Sequence, residues 1–313
     1  MQTPTVSAII TVYNNERTVA DAIESFLIQT FPSFEIIVVD DGSTDGTRQV
    51  IEQHYARKVK YVYQPNRGSA AARNAGVYHA KGKYLAFLDG DDMAMPERFY
   101  LQVKALDDCP AAGLAYGNIF LMDAAGAQLR LRQGLGRYKS GWVLRDLVLK
   151  NFVPFSTAMV RRDCLYDIGL FDESLRSSED WEMLVRLSRS YQFLYINEPL
   201  IKYRIQPNSK TANLEEKERA YKCVQAKIFA ENDFGVDSKR MRRLSNASIQ
   251  FGLLGISLRY GRYSKALRYC IRGLRAAPAI PFYLRREILS RVIYALGRGS
   301  ARPRFKPRSI NTI

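Results

Sequence analysis

Apolar runs alternate with segments of helical spacing through the first third of the chain. The runs are rich in β-branched residues and end at polar turns, so they predict buried strands over residues 6–12, 34–39, 59–63 and 84–88. The segments between them repeat apolar positions every three or four residues, which predicts helices over residues 19–29, 47–55 and 68–79. Strands that alternate with helices in this way predict a parallel sheet with helices on both faces.

The pattern is less regular from residue 96 onward. It predicts helices over residues 96–106, 142–149 and 181–189. It predicts strands over residues 113–120, 155–160 and 193–196, and a loop or hairpin over residues 126–136. Every pattern beyond Glu215 is helical. Residues 261–278 are similar to the second helix of a tetratricopeptide repeat, but a single imperfect copy favours an ordinary helical hairpin.

Charge is distributed unevenly along the 313 residues, whose net charge is +16. Residues 215–313 contain 22 Lys and Arg against 7 Asp and Glu, whereas residues 1–214 are almost neutral. This change marks a boundary. We therefore predict an α/β domain over residues 1–214, a basic helical region over residues 215–300 and a disordered tail over residues 301–313.

Composition narrows the functional classes. The four cysteines show no pairing pattern, which favours a reducing, cytoplasmic compartment over a disulfide framework, and two histidines are too few for a histidine-based metal site. The N-terminal residues lack the pattern of a secretion signal, and no apolar stretch has the length of a bilayer span.

Three carboxylates follow the strand that ends at Leu88, namely Asp89, Asp91 and Asp92. Acids so close together repel one another unless a cation lies among them, and Mg²⁺ or Mn²⁺ prefers oxygen ligands and keeps positions open for phosphate. A solvated acidic turn is the alternative. Other polar residues, Tyr13, Asp40 and Asp41, also follow strands, and the carboxyl ends of parallel strands form the ligand-binding edge of such sheets. The pattern thus favours one shared site.

Several motifs occur in a fixed order, at residues 13–14, 38–45, 66–68, 72–76, 82–92 and 178–182. In this order they resemble those of the family 2 glycosyltransferases over residues 4–210, and the combination is far more specific than any one motif. The resemblance implies a GT-A fold, in which a Rossmann-like nucleotide-binding sheet is joined to an acceptor half. Here the basic helical region would follow it.

The resemblance also implies roles around the nucleotide. Thr11 and Tyr13 match positions that cradle the nucleobase, and Asp41, or with less support Asp40, would accept the base N–H. Arg73 matches a cation near the nucleotide. The structural alternatives are strand-end packing for Tyr13, helix capping for the aspartates, and a solvated helix face for Arg73.

The acidic cluster resembles the D-x-D motif extended by one acid. By this resemblance Asp91 and Asp92 contact the metal and the donor ribose, Asp89 supports them, and Mn²⁺ or Mg²⁺ stabilises the departing nucleoside diphosphate. Asp180 matches the aspartate of the family's E-D motif, which is the general base of an inverting transfer. The alternative is that Asp180 caps the helix over residues 181–189.

Two departures from the family pattern bear on function. Gln206 stands where many members have the His of a Tyr-Arg-x-His-x-x-Ser segment, so we expect an altered metal affinity. The Gln-x-x-Arg-Trp motif and the membrane helices of processive synthases are absent from the sequence, which favours transfer of one sugar per event.

These observations give the hypothesis of an inverting, metal-dependent hexosyltransferase for cell-surface polysaccharide or glycoconjugate synthesis. It would move a sugar from a nucleotide-diphosphate donor to a hydroxyl of a glycan or lipid-linked acceptor, with UDP preferred only by family frequency. A nucleotidyltransferase is the rival enzyme, although its usual glycine-rich phosphate loop is replaced here by residues 13–16. A non-catalytic basic scaffold that keeps the fold is the rival binding protein.

The basic region has two equally favoured interpretations. One is a helical subdomain that completes the fold or mediates self-association. The other is a contact with an anionic membrane surface, which would place a cytoplasmic protein peripherally at the inner face of the membrane. Nucleic acid ranks below both, because no recognition motif accompanies the charge.

Overall fold

The computed structural model describes residues 3–131, 138–205, 213–231 and 233–277. The chain divides into two compact units between Met241 and Arg242. The predicted tail over residues 301–313 and the substituted motif position Gln206 both lie outside the described residues.

The nine strands of the described chain are β1 (Val6–Val12), β2 (Phe34–Asp40), β3 (Lys60–Tyr63), β4 (Tyr84–Asp89), β5 (Met93–Ala94), β6 (Ala112–Met122), β7 (Gln128–Leu131), β8 (Met159–Arg161) and β9 (Gln192–Arg204). The helices of the first unit are α1 (Val19–Leu27), α2 (Thr47–Tyr55), α3 (Ser69–His79), α4 (Arg98–Asp108), α5 (Leu144–Leu149), α6 (Arg162–Ile168), α7 (Glu179–Ser190) and α8 (Leu214–Ile228).

The strands form one mixed sheet in the order β3-β2-β1-β4-β8-β6-β9-β5, with β7 paired to β6. Strands β1 to β4 are parallel, as the alternating pattern predicts. Strand β8 runs antiparallel to both β4 and β6 and joins this half to the parallel pair of β6 and β9. The fold class is therefore the predicted α/β GT-A type, with the first four strand ends on one edge.

The predicted strand over residues 155–160 is wrong in its first half. Residues Phe155–Thr157 form a 3₁₀ turn, and β8 begins only at Met159. The turn is closed by Thr157, whose N–H and hydroxyl both donate to the carbonyl of Pro154. Gln102 of α4 then donates to the carbonyl of Thr157, whereas the carbonyl of Ala158 accepts from both Arg98 of α4 and the backbone N–H of Phe87 in β4.

Helix α3 packs very closely on the sheet. A Cβ at Gly76 would lie 2.4 Å from Cγ2 of Ile9, a fully buried residue of β1. Gly68, just before the helix, has a positive φ of 91°, a conformation that glycine adopts without steric strain. A glycine at each of these two positions therefore sets where α3 begins and how near it comes to β1.

The second unit contains most of α9 (Ser238–Arg259) and all of α10 (Tyr263–Ala276). A Cβ at Gly273 of α10 would lie 2.7 Å from the ring of Phe251 in α9, so the two helices are in close contact. They form the helical hairpin that the sequence predicts. Within the described ranges, no helix combines the length and hydropathy needed to cross a membrane.

Candidate active site

The ends of β1 and β4 bring Thr11 and Asp89, two of the predicted donor-site residues, side by side. Thr11 is the register partner of Asp89, and the carbonyl of Thr11 accepts a hydrogen bond from the N–H of Gly90. Tyr13 follows β1 and leaves 44% of its surface exposed. A flat ring at the open end of a parallel strand can stack on a nucleobase.

Asp40 and Asp41 differ in what their carboxylates do. Asp40 is fully buried, and its oxygens accept hydrogen bonds from the hydroxyl of Tyr61 and the N–H of Ser43. Asp41 accepts from the N–H groups of Arg67 and Gly68 and so satisfies the backbone at the start of α3. The capping alternative thus holds for Asp41, but at a helix that follows it by some 26 residues rather than at the next one.

Arg73 lies buried between two carboxylates. Its Nη1 is 2.5 Å from Oε1 of Glu179, and its Nη2 is 3.1 Å from Oδ1 of Asp89. The guanidinium also lies 4.8 Å from the ring centre of Phe155. Burial disfavours its charge, but Glu179 and Asp89 outweigh burial and raise the pKa of Arg73. The sequence alternative of a solvated helix face is wrong, because Arg73 is an internal bridge.

Glu179 is the residue that sequence reasoning left without a role. It is almost completely buried, and it accepts hydrogen bonds from Arg73 and from the hydroxyl of Ser69. Burial would raise the pKa of Glu179, but Arg73 and Ser69 together lower it. The carboxylate therefore stays charged and ties α7 to α3. The available signal was the acid immediately before Asp180.

The three acids after β4 have different exposure. Asp89 is half exposed and Asp91 partly exposed, whereas Asp92 is buried. Oδ1 of Asp92 accepts the N–H of Arg204, and Oδ2 has no hydrogen-bond partner among the described residues. Burial, followed by the charges of Asp91 and Asp89, raises the pKa of Asp92 well above its usual value.

These residues fit a hard divalent cation. An orphaned buried carboxylate oxygen beside two further acids is stabilised by a positive charge, and oxygen is the ligand that Mg²⁺ and Mn²⁺ prefer. Nowhere in the described ranges do three or more acidic, imidazole or thiol side chains converge as a complete metal site. A cation held here would thus take its remaining ligands from phosphate and water.

Asp180 is the second residue of α7, in a partly buried position. Its Oδ2 lies 3.2 Å from Nδ2 of Asn151. Burial and the neighbouring charge of Glu179 raise the pKa of Asp180, and Lys217 and Arg73 offset part of this rise. The N-cap of α7 is Ser178. Asp180 therefore lies inside the first turn of α7 rather than at its N-cap, and the backbone N–H of Trp181 bonds to its carboxylate.

Helix α8, which the sequence pattern assigns to the basic helical region, packs against α7 beside this carboxylate. The Nζ of Lys217 lies 5.2 Å from the ring centre of Tyr221, which in turn packs edge-on against Trp181 at 5.5 Å. Trp181 donates its indole N–H to the carbonyl of Leu147. Lys217 is a further residue of the site that the sequence did not suggest, since helical periodicity alone cannot show which neighbour a face contacts.

The structure links two of the predicted residues directly. Arg73 joins Asp89 to Glu179, and Asp180 is the next residue along the chain. Thr11 and the acidic turn belong to the same edge of the sheet. Asp40 takes no direct part, because its carboxylate is enclosed beneath that edge.

Known proteins resemble this chain in sequence, and others resemble it in fold. A sequence model described as "Glycosyl transferase family 2" matches residues 7–169. An uncharacterized glycosyltransferase of Rickettsia prowazekii is 29% identical over 302 residues, which cover 94% of this chain and 92% of the relative.

Two solved structures have a similar fold. TarS residues 1–349 of S. aureus in complex with UDP gives a TM-score of 0.61 at 19% identity, over 93% of this chain and 88% of TarS 1–349. A mannosyltransferase of Pyrobaculum calidifontis in complex with GDP-Man and Mn²⁺ gives 0.60 at 18% identity, over 95% of this chain and 87% of that enzyme.

Proposed function

The chain belongs to glycosyltransferase family 2, and from this premise we propose that it is an inverting, metal-dependent hexosyltransferase that uses a nucleotide-diphosphate sugar. The observation that carries the proposal is the bridge from Asp89 through Arg73 to Glu179, which ties the first turn of α7, where Asp180 follows Glu179, to the end of β4. A carboxylate so placed can serve as a base beside a donor bound at that edge.

The donor nucleotide would lie against Thr11 and Tyr13. Asp41 stays our choice over Asp40 as the acceptor for a base N–H, and this preference rests on the family resemblance. Both oxygens of each carboxylate already accept hydrogen bonds within the protein, so either would have to exchange or share one. UDP is our first choice. The UDP complex of TarS supports this choice, whereas the GDP-Man complex of the Pyrobaculum enzyme keeps GDP as the alternative.

Asp91 and Asp92 would contact Mn²⁺ or Mg²⁺ and the donor ribose, with Asp89 supporting them. When bound, the cation would act as a Lewis acid on the diphosphate oxygens. Hydrogen bonds from Arg204 to the carboxylate of Asp92 and to the peptide carbonyl of Asp91 orient this turn. The Mn²⁺ of the Pyrobaculum mannosyltransferase supports a metal in this fold.

Asp180 would act as the general base. Its carboxylate takes the proton of the acceptor hydroxyl while that oxygen bonds to the anomeric carbon, and the bond from this carbon to the nucleoside diphosphate breaks. Displacement from the opposite face inverts the configuration. A raised pKa suits this role because it brings the base nearer to neutral pH.

The acceptor would be a hydroxyl of a glycan or a lipid-linked sugar in cell-surface polysaccharide or glycoconjugate synthesis. We place the reaction in the cytoplasm, peripherally at the inner face of the membrane. All four cysteines are unpaired in the structure, as expected of a protein from a reducing compartment.

The test is calorimetric titration of the whole protein with UDP, GDP and dTDP, with and without Mn²⁺, for the wild type and Asp91→Ala. We expect one nucleotide to bind only with Mn²⁺ and the variant to lose this binding. Asp108→Ala is the matched control, since Asp108 is an exposed acid paired with Lys104. Failure of every nucleotide to bind a folded sample would favour the rival of a non-catalytic scaffold.

A further inference from the structure

The helical hairpin of α9 and α10 has a charge of a single sign. Residues 238–277 contain ten Lys and Arg and no Asp or Glu. No ion pair can therefore form within this segment, and its positive charges add rather than cancel. Such a field attracts polyanions, either nucleic acid or an anionic membrane surface.

Helix α10 has a second feature that distinguishes between nucleic acid and a membrane surface as the partner. One of its faces is buried by Ala266, Tyr269, Cys270 and Gly273. Beside that face lies a stripe of large apolar side chains spaced four residues apart, namely Tyr263, Leu267 and Ile271, which are 40%, 57% and 43% exposed. Arg268 and Arg275 are exposed on the other side of this stripe.

The two features together fit a lipid surface. Nucleic acid would neutralise the arginines but would leave Leu267 and Ile271 in water. A bilayer with anionic headgroups satisfies both, because the phosphates take the charges while the acyl boundary takes the apolar side chains. We propose that α10 docks on an anionic lipid bilayer, with Tyr263, Leu267 and Ile271 inserted at the headgroup boundary and Arg268 and Arg275 at the lipid phosphates.

This inference defines the surface behind the membrane location in the proposed function, and its test uses no enzymatic readout. Full-length protein is floated with vesicles of neutral phosphatidylcholine or of phosphatidylcholine with phosphatidylglycerol. We expect flotation only with the anionic vesicles. The apolar double variant Leu267→Glu/Ile271→Glu and the charge double variant Arg268→Glu/Arg275→Glu should each weaken partitioning about tenfold or more.

Matched controls carry the same changes elsewhere. Ile28→Glu/Val236→Glu alters two exposed apolar residues, and Arg57→Glu/Lys81→Glu reverses two exposed charges. Both controls should float like the wild type, and the melting temperatures of all variants are measured alongside. Binding to heparin, a soluble polyanion, is measured as well. It distinguishes a nucleic-acid surface from a lipid surface, because heparin binding depends on the arginines but not on Leu267 and Ile271.

Three results would overturn the proposal. The wild type could fail to float with anionic vesicles, or the apolar variant could float as well as the wild type. The apolar variant could also lower the melting temperature while the wild type binds heparin alone, which would make the stripe an internal contact and the charge a nucleic-acid surface. Because no sugar transfer is measured, any of these outcomes leaves the enzymatic proposal standing.

Discussion

The guanidinium of Arg204 holds the peptide carbonyl of Asp91, with Nε 2.8 Å from the oxygen. The backbone N–H of Arg204 also donates to the carboxylate of Asp92, and Nη2 pairs with Asp21 at 2.7 Å. The Arg204 side chain is almost completely buried. A residue at the end of β9 thus fixes the turn that carries the proposed metal ligands.

We predict that Arg204→Lys weakens Mn²⁺-dependent nucleotide binding about tenfold, because residues that orient metal ligands typically contribute this much. Lysine keeps the charge near Asp21 but cannot also reach the carbonyls of Asp91 and Ala124 in the arginine's fork geometry. The measurement is calorimetry on the folded fraction, with Arg48→Lys in an exposed pair as the control. A lower melting temperature with an unchanged dissociation constant would reduce Arg204 to a structural role.

Asp180→Asn should keep nucleotide binding and lose transfer. Asparagine has the same shape but cannot take the acceptor proton, so we expect kcat to fall by about 10²–10⁴-fold. Calorimetry and a transfer assay are run on the same sample, together with Asp123→Asn at a loop position whose carboxylate accepts from the N–H groups of Ala125 and Ala127. Equal transfer by the variant and the wild type would remove Asp180 from the mechanism.

The pH dependence of kcat/KM should reflect the pKa of Asp180, which the surrounding charges set. The groups that act on its charge are Glu179 on α7, Lys217 on α8 and Arg73 on α3, with Tyr221 packed nearby. Because burial and Glu179 raise its pKa, the acid limb of kcat/KM should lie above the range of an ordinary aspartate.

Lys217→Gln removes a positive charge that lowers this pKa, so the acid limb should move to still higher pH. Lys222→Gln, which changes an exposed lysine paired with the largely buried Glu218, should leave the limb in place. A limb that stays fixed or moves to lower pH in Lys217→Gln contradicts the assignment of Asp180 as the titrating base.

Glu179→Gln should destabilise the protein by about 3 kcal/mol, because it breaks a buried ion pair and leaves the Arg73 charge less compensated. The exposed control Glu52→Gln should cost about 0.5 kcal/mol or less. Since Arg73 and Ser69 depress the folded-state pKa of Glu179, its contribution is present above the unfolded pKa and disappears as pH falls through the folded one.

Urea denaturation at neutral and acidic pH measures both effects. The difference between wild type and Glu179→Gln should shrink at acidic pH. A difference that is the same at both pH values would mean that the side chain contributes through packing rather than through its charge.

Local signals predicted the donor half well. Helix α2 begins and ends at the predicted residues, and β1 to β4 agree within one residue, because apolar runs and turn residues specify such elements directly. The 3₁₀ turn at Phe155 was missed because a side chain of α4, that of Gln102, more than fifty positions away in sequence, satisfies the carbonyl of Thr157.

The candidate site was predictable as residue types but not as contacts. The acidic turn and Asp180 stand out in the sequence, yet the partners that orient them lie far along the chain. Arg73 is 106 positions from Glu179, and Arg204 is 113 positions from Asp91. No periodicity encodes such pairs, since they arise only when β8 joins the two halves of the sheet.

Gly76 sets a dimension of the site that it never touches. It lies one helical turn beyond Arg73, and its missing methyl group lets α3 rest directly on Ile9. Any side chain there would lift the helix and carry the guanidinium away from both of its carboxylates. The absence of a side chain at Gly76 thus determines whether Arg73 can reach from one half of the enzyme to Glu179 in the other.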